Sequence, residues 1–422
     1  MATNIPKSWI KCKLGDVIVP RKKRIIPNIE NANIPFIGMD CIKPNSLKIY
    51  KQYQLKNTKS SSFIFYKDDI LYGRMRSYLN KVWQAEFNGA ASAEFIIFPE
   101  NEIICSGFLK YLLHKKDFVK YATRNASGDR PRVKFEADLS NYCIGLPPLN
   151  EQRRIVEKIE EEFGKIDEGV EKLRFALEQI KQYRQAVLKS AFDGKLYKTT
   201  EWEEKSLQEL TLKIGDVDHK MPKEVKEGVP YISPKDFYGV NGIDFINAKK
   251  ITKKDYKILS KKIAPNYGDI IFPRYGTIGT LRYVDTEEQF LVSYSCVVIK
   301  TINEKAESKY LYYSLLSPQI KSQIQRSIRQ TTQANIGIQS IKDFKIKIGI
   351  KAEQQQIVKE IEKRLKVADK IEAVIRQNID KAEQLKQSIL KKAFEGRLVP
   401  QDPNDEPASV LLEKIKAERK NK

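Results

Sequence analysis

A long amphipathic helical pattern occurs twice in the chain, and this repeat limits the possible folds more than any other feature. The first copy starts with a Glu-Gln pair at 151–152 and ends at residues 191–196. The second copy starts with a Glu-Gln pair at 353–354 and ends at residues 393–398. The copies align without a gap at a constant displacement of 202 residues, which predicts a pseudo-twofold architecture.

Apolar residues in the first copy recur in alternating steps of four and three positions, which places them along one face of a helix. They are Ile159, Phe163, Ile166, Val170, Leu173, Leu177 and Ile180. Such a stripe over several heptads is typical of a coiled coil. Because neither helix can cover its stripe alone, we expect the two helices to pair, most simply antiparallel. The alternative is two independent helices, each buried on its own domain.

Two globular segments accompany the helices. In the first, short apolar runs bounded by Gly, Pro, Asn or Asp predict strands, followed by a helix near residues 107–121. The second repeats this order with little sequence identity, and a helix is expected over residues 309–328. We interpret the helices as the common part of the repeat and the globular segments as the parts that differ in specificity.

The predicted fold class is therefore mixed α+β, with two globular α/β domains separated by two long helices that pair as an antiparallel coiled coil. The expected segments are a globular domain at 1–149, a helical region at 150–198, a globular domain at 199–350, a helical region at 351–398, and a linker with a basic C-terminal tail at 399–422.

The sequence also predicts how the long helices begin and end. Asn150 follows two prolines and is a suitable N-cap for the first helix, which Gly194 would end. The second helix lacks both the Pro-Pro pair and the Asn, so we expect a less sharply defined start. A short basic helix is expected at 408–422.

The net charge of +22 points to a polyanionic partner such as nucleic acid, although a Lys-rich background from an AT-biased genome would also produce it. The five cysteines are widely spaced without a C-x-x-C pair, which predicts reduced thiols in a cytoplasmic protein. With two histidines, a histidine-based metal site is not expected. The sequence has neither an apolar signal core nor an apolar run of membrane-spanning length.

Catalytic motifs are missing from the sequence. It contains no G-x-x-x-x-G-K-[ST] phosphate loop, and Leu146-Pro147-Pro148-Leu149 lacks the Asn or Asp and the aromatic residue of an amino-methyltransferase motif. Together with the duplicated layout, this absence favours a DNA-binding protein over an enzyme.

Candidate DNA contacts lie where Arg, Lys, Tyr and amide side chains cluster on loops, because Arg can bind guanine or phosphate and Asn or Gln can bind adenine. In the first domain they are Arg74, Arg76, Tyr78, Lys81, Arg124, Arg130 and Arg132. In the second domain they are Arg274, Tyr275, Thr277, Arg282, Arg326, Arg329, Gln333 and Asn335. The alternatives are a solvated hairpin for the loop that begins at residue 72 and a flexible basic linker for the loop that begins at residue 124.

The motif Leu-Pro-Pro-Leu-Asn-Glu-Gln at 146–152, together with Ala-Phe-Asp-Gly-Lys-Leu at 191–196, resembles the conserved regions of type I restriction-modification specificity subunits. The segment Gly-Arg-Leu-Val-Pro-Gln-Asp-Pro at 396–403, followed by Glu-Pro-Ala at 406–408, adds to the resemblance. The order of domain, helix, domain and helix covers the whole chain.

The resemblance implies a non-catalytic subunit in which each globular domain is a target-recognition domain for one half of a split double-stranded DNA sequence. It also implies that two methyltransferase subunits dock on the helices and that restriction subunits, which act as translocase and nuclease, join them. The methyltransferase would transfer a methyl group to adenine N6. S-adenosylmethionine would bind to the methyltransferase partner, and ATP and Mg to the nuclease partner, so no cofactor is expected in this chain.

Helix length is consistent with a role as a ruler between the half-sites. Residues 151–189 would span roughly 58 Å as a helix, and half-sites one turn apart on B-DNA are about 34–36 Å apart. Two alternatives remain: a stand-alone DNA-modifying enzyme with diverged motifs, and a coiled-coil scaffold that binds only protein.

Overall fold

A computed structural model of the chain describes residues 5–197, 201–219, 221–302, 304–329, 334–410 and 412–413. The contacts divide it into two compact units, Met1–Leu173 with Gln377–Lys422 and Arg174–Arg376. Each unit therefore contains one globular domain and one half of each long helix. Among the described residues, no helix is both long and apolar enough to span a membrane.

The first globular domain combines short strands with three helices. Its strands are β1 Ile10–Lys13, β2 Arg24–Ile25, β3 Pro35–Ile37, β4 Tyr53–Gln54, β5 Ser62–Phe65, β6 Ile70–Gly73, β7 Val82–Gln84, β8 Gly89–Ala91, β9 Phe95–Phe98 and β10 Cys143–Leu146. Its helices are α1 Leu14–Val17, α2 Ser106–His114 and α3 Lys116–Asn125. The first long helix is α4, Leu149–Phe192.

The second globular domain is built in the same way. Its strands are β11 Glu203–Ser206, β12 Thr211–Gly215, β13 Val229–Ile232, β14 Phe237–Tyr238, β15 Gly242–Ile243, β16 Lys250–Ile251, β17 Ile270–Pro273, β18 Arg282–Tyr283, β19 Leu291–Val292, β20 Cys296–Thr301, β21 Ile328–Arg329, β22 Asn335–Ile336 and β23 Lys345–Ile348. Its helices are α5 Lys253–Leu259, α6 Ser308–Leu315, α7 Pro318–Ser327 and α8 Ile338–Lys342. The second long helix is α9, Lys351–Phe394.

Several strand pairs of the first domain have a counterpart in the second. An antiparallel pair joins the two ends of each domain, β1 with β10 and β11 with β23. The antiparallel pair β6–β9 corresponds to β17–β20, and the parallel pair β3–β8 corresponds to β13–β19. The internal repeat predicted from the helices therefore extends to the topology of the globular domains.

The helices predicted near 107–121 and 309–328 are each interrupted in the structure. In the first domain, extended backbone at Lys115 separates α2 from α3. In the second, α7 starts at Pro318, and the Ser317 hydroxyl caps it by accepting a hydrogen bond from the Ile320 amide. Proline has no amide hydrogen to continue the preceding helix, which explains the break in the second domain.

The long helices pair antiparallel in both units. In the first unit, Ile155 and Ile159 share a core with Leu390 and Ala393, whereas Asp167, later in α4, accepts a hydrogen bond from Lys386, earlier in α9. In the second unit, Arg184 donates to Asp369 and Glu372, and the later residues 187–192 share a core with the earlier residues 357–361. The predicted coiled coil is confirmed, and the alternative of independent helices is wrong.

A buried glutamine fixes the start of each long helix. Gln152 accepts a hydrogen bond from the Cys105 amide and donates to the carbonyls of Ile103 and Pro147. Gln354 accepts a bond from the Glu307 amide and donates to the Gly349 carbonyl. These bonds make the two starts equivalent.

Two expectations about helix starts were wrong. Asn150 is not an N-cap, because α4 already includes Leu149. The start of α9 is as well defined as that of α4, since both helices have 44 residues and the same displacement of 202 residues separates their first residues. Gly194 and Gly396 follow the helix ends with positive φ angles of 73° and 69°, as glycine permits. The predicted basic helix at 408–422 falls largely outside the described residues.

Candidate nucleic-acid interface

The two basic loops predicted in the first domain lie side by side. The Arg76 amide donates to the Pro131 carbonyl at 2.8 Å, and the Val133 amide donates to the Arg74 carbonyl at 3.1 Å. Met75 forms an isolated β-bridge with Arg132. The loop that follows β6 and the loop that precedes Val133 therefore form one continuous surface.

Four predicted contact residues of the first domain have exposed side chains, and they are Arg76, Tyr78, Arg124 and Arg130. Arg76 adopts a left-handed backbone conformation, with φ of 54°, at the start of the turn that leads to Tyr78. Lys81 points inward, where its ammonium donates to the Met39 carbonyl at 2.7 Å and burial lowers its pKa. Lys81 therefore stabilises the loop from within.

Glu94, which the sequence analysis did not identify, holds both loops by their arginines. Its carboxylate accepts hydrogen bonds from the Nε of Arg132, at 2.8 and 3.1 Å, and from the Nη2, at 2.7 Å, and it lies 3.8 Å from the Arg74 Nε. The bond from Arg132 holds the pKa of Glu94 below its usual value. Because the carboxylate stays ionised, it fixes the Arg132 guanidinium while part of that side chain remains exposed.

The second domain repeats this arrangement of paired loops. The Ile336 amide donates to the Arg274 carbonyl at 3.0 Å, and the Gly276 amide donates to the Ala334 carbonyl at 3.3 Å. Tyr275 forms a β-bridge with Asn335, as Met75 does with Arg132 in the first domain. The two loops predicted from sequence are therefore brought together in both domains.

Side chains in the second domain divide into exposed and structural groups. Thr277, Arg326 and Arg329 are exposed, Tyr275 and Asn335 are half-buried, and Gln333 lies outside the described residues. Arg274 is largely covered: its guanidinium packs over the Tyr275 ring at 4.6 Å and lies 3.6 Å from the carboxylate of Asp216.

Arg282 belongs to the domain core. Its guanidinium donates to the carbonyls of Gly242 and Leu281 at 3.0 and 2.8 Å and packs over the Phe237 ring. Burial lowers its pKa. Because these contacts occupy the side chain, we exclude Arg282 from the candidate interface.

The described residues of the interface offer positive charge and hydrogen-bond donors. Within the described ranges, no cluster of His, Cys, Asp and Glu is arranged to hold a metal ion. Guanidinium groups on paired loops are suited to phosphate oxygens and to the guanine edge in the major groove.

Comparison with protein families identifies the repeated unit. The model of the family described as type I restriction modification DNA specificity domain matches residues 6–172 and 199–381. The chain belongs to this family. Each match includes one globular domain and part of the long helix that follows it, so the family unit is the unit that the internal repeat defines.

Curated relatives of this family member are specificity subunits. The EcoBI specificity subunit of Escherichia coli is 24% identical, over 86% of this chain and 88% of that protein. The EcoKI specificity subunit of Escherichia coli K12 is 27% identical, over 77% of this chain and 74% of that protein. A solved chain from a type I restriction-modification system has the same fold, with a TM-score of 0.71 and 19% identity over 93% of this chain and 99% of that one.

These findings confirm the resemblance stated from the motifs. The chain is a type I specificity subunit, a DNA-recognition component without catalytic activity of its own. Its mixed fold, with two domains and a long helix pair, agrees with the solved relative. The alternatives of a stand-alone enzyme and of a protein-only scaffold are not supported.

Proposed function

We propose that each globular domain of this specificity subunit binds one half of a bipartite double-stranded DNA target through its paired loops. The observation that carries the proposal is the duplicated backbone pairing: Val133 to Arg74 in one domain and Ile336 to Arg274 in the other. Two domains with little sequence identity keep this geometry while the side chains on it differ. A common platform with divergent side chains is suited to reading two different half-sites.

Within each platform, residues have separate tasks. Arg76, Arg130 and Arg329 have exposed guanidinium groups that can reach DNA phosphates or base edges. Arg124 and Arg326 can bind the DNA phosphate backbone next to these contacts. Arg132 is oriented by Glu94 and is suited to a bidentate contact with guanine. Asn335, at the corresponding bridge of the second domain, is suited to adenine.

The paired helices act in this proposal as a ruler between the half-sites and as the docking surface for two methyltransferase subunits. Adenine N6 methylation would take place in those subunits with S-adenosylmethionine, and cleavage would require restriction subunits with ATP and Mg. The complex would work in the cytoplasm on chromosomal or invading DNA. Five cysteines without disulfides are consistent with that location.

Methylome sequencing of the host, with and without the gene for this chain, tests the proposal. We expect one bipartite adenine-methylated motif to disappear on deletion and to return with the wild-type gene. An unchanged methylome would contradict the proposal. Methyl transfer by the purified chain alone, given S-adenosylmethionine and DNA, would instead favour the stand-alone enzyme.

A further inference from the structure

Three loops meet at one edge of the four-stranded sheet of the second domain. Both β12 and β17 pair antiparallel with β20, and their last residues, Gly215 and Pro273, lie opposite Val298 and Cys296 near the start of β20. The loop after β12, the loop after β17 and the loop before β20 are therefore neighbours. Of these three loops, only the one after β17 is a DNA contact predicted from the sequence.

The loop after β12 and the loop before β20 contribute two stacked rings beside the predicted interface. The imidazole of His219 stacks on the Tyr294 ring, with centroids 4.7 Å apart and an interplanar angle of 26°. Tyr294 in turn meets Tyr275 edge to face at 6.3 Å. The His219 side chain is 62% exposed, so the stack has one covered end against Tyr275 and one open end.

A buried carboxylate holds the loop that carries His219. Asp216 has a 7% exposed side chain, and its Oδ2 lies 3.6 Å from Arg274 and 3.8 Å from His219. Its Oδ1 accepts a hydrogen bond from Lys262 at 3.3 Å. The same carboxylate thus connects the predicted interface residue Arg274 with the histidine loop, which fixes their relative position.

The equivalent point of the first domain is chemically different. The Arg74 amide donates to the Glu94 carbonyl at 2.9 Å, and the Arg274 amide donates to the Ser295 carbonyl at the same distance. The loop that supplies the Glu94 carboxylate in the first domain therefore corresponds to the loop that supplies Tyr294 in the second, and His219 reaches Tyr294 from the loop after β12. At this end of the sheet the candidate interfaces of the two domains therefore differ in side-chain chemistry.

We propose that His219 contacts a base in the second half-site and that Tyr294 is a positioning residue that fixes the imidazole plane. A ring N–H of the imidazole can donate to the N7 or O6 acceptors that guanine presents in the major groove. Stacking on Tyr294 restricts the rotation of the imidazole, so less freedom is lost on binding. This inference rests on the proposed function of the domain as a half-site reader.

The test uses the full-length chain produced with its methyltransferase in a host whose own copy has been deleted. His219→Ala, His219→Gln, Tyr294→Ala and Tyr294→Phe are compared by methylome sequencing, and Arg76→Ala identifies the half-site read by the first domain. Tyr267→Ala is the matched control, because this exposed tyrosine of the same domain contacts the Tyr283 ring instead of the stack.

We expect His219→Ala and Tyr294→Ala to relax the same single position of the second half-site, lowering the preference for the native base about tenfold. Tyr294→Phe keeps the ring and should retain the native preference, as should Tyr267→Ala. His219→Gln keeps a side chain with an N–H donor at this position. If this variant still directs methylation of a bipartite motif, the chain folds, and a change in base preference can be assigned to the side chain. The inference would be overturned if both alanine variants kept the wild-type base preference, or if they lost methylation equally on all DNA sequences. A wild-type chain that directs no bipartite motif would instead refute the proposed function.

Discussion

The carboxylate of Glu94 accepts hydrogen bonds from the Nε and Nη2 of Arg132 and lies 3.8 Å from Arg74, so it connects the two basic loops of the first domain. Arg132 is bridged to Met75 through its backbone, so its side chain and main chain are both fixed. An arginine held in this way would lose little conformational freedom on binding DNA.

Replacement of Glu94 should therefore weaken discrimination within the first half-site more than overall binding. We expect Glu94→Gln to lower the preference for one base about tenfold, because Arg132 and Arg74 lose their common anion. Competition binding with duplexes substituted at each position of the half-site measures this effect. An Arg132→Lys variant is the control for loss of bidentate geometry, and unchanged base preference in both would exclude the positioning role.

The helix-start glutamines should be important for stability in both units. Gln152→Ala leaves the Cys105 amide and two carbonyls without their partner, and we expect a loss of about 1–3 kcal/mol in the free energy of unfolding. Gln354→Ala should act in the same direction on the second unit.

Urea unfolding combined with hydrogen exchange at the first turns of α4 and α9 measures these losses. Gln355→Ala is the matched control, since Gln355 is the exposed neighbour of Gln354 on the same helix. If Gln152→Ala and Gln355→Ala unfold at the same urea concentration, the glutamine bonds do not stabilise the helix start.

Protonation of His114 should make the first unit sensitive to mild acid. This side chain is buried, and burial, aided by the charge of Lys386, lowers its pKa to about 4. Between about pH 6.5 and pH 4 the unfolded chain binds a proton that the folded chain does not, so stability is lost as the pH falls. The loss is on the order of 3 kcal/mol.

The measurement is the free energy of unfolding of wild type and His114→Gln across this pH range. The variant removes the titrating group, so its stability should depend less on pH even if it is lower at pH 7. Parallel pH profiles for the two proteins would mean that His114 does not stay neutral in the folded state.

The features that could be predicted from sequence are those encoded by local spacing. The four-three spacing from Ile159 to Ile180 is a property of neighbouring residues, and it correctly predicted a helix that needs a partner. The repeat then indicated which helix that partner is. Breaks within helices were less predictable, since the extended residue Lys115 has no proline or glycine to indicate it.

Side-chain roles within the interface depended on contacts distant in sequence. Arg282 follows a strand-loop pattern like that of the other arginines, but the Gly242 carbonyl, 40 residues away, turns it into a core residue. Glu94 and Asp216 gave no sequence signal, because isolated acidic residues are common in loops. Their role appears only when the fold places them beside Arg132 and Arg274.

A matched deletion in the two long helices tests the central claim, that their pairing sets the separation of the half-sites. Deleting residues 170–176 together with residues 377–383 removes one heptad from each helix and keeps the Asp167–Lys386 and Arg184–Asp369 pairs in register. Seven helical residues correspond to about 10 Å, or about 3 base pairs of DNA. Deletion of residues 170–176 alone is the control, since it shifts one helix against the other.

Methylome sequencing of a host carrying the double deletion gives the most direct answer. If the paired helices set the spacer, the double deletion should direct methylation of the same two half-sites with a spacer about 3 base pairs shorter, or lose methylation where no such spacing can be accommodated. The single deletion should lose methylation. Methylation of the original motif with its original spacer by the double deletion would show that helix length does not set the separation of the half-sites.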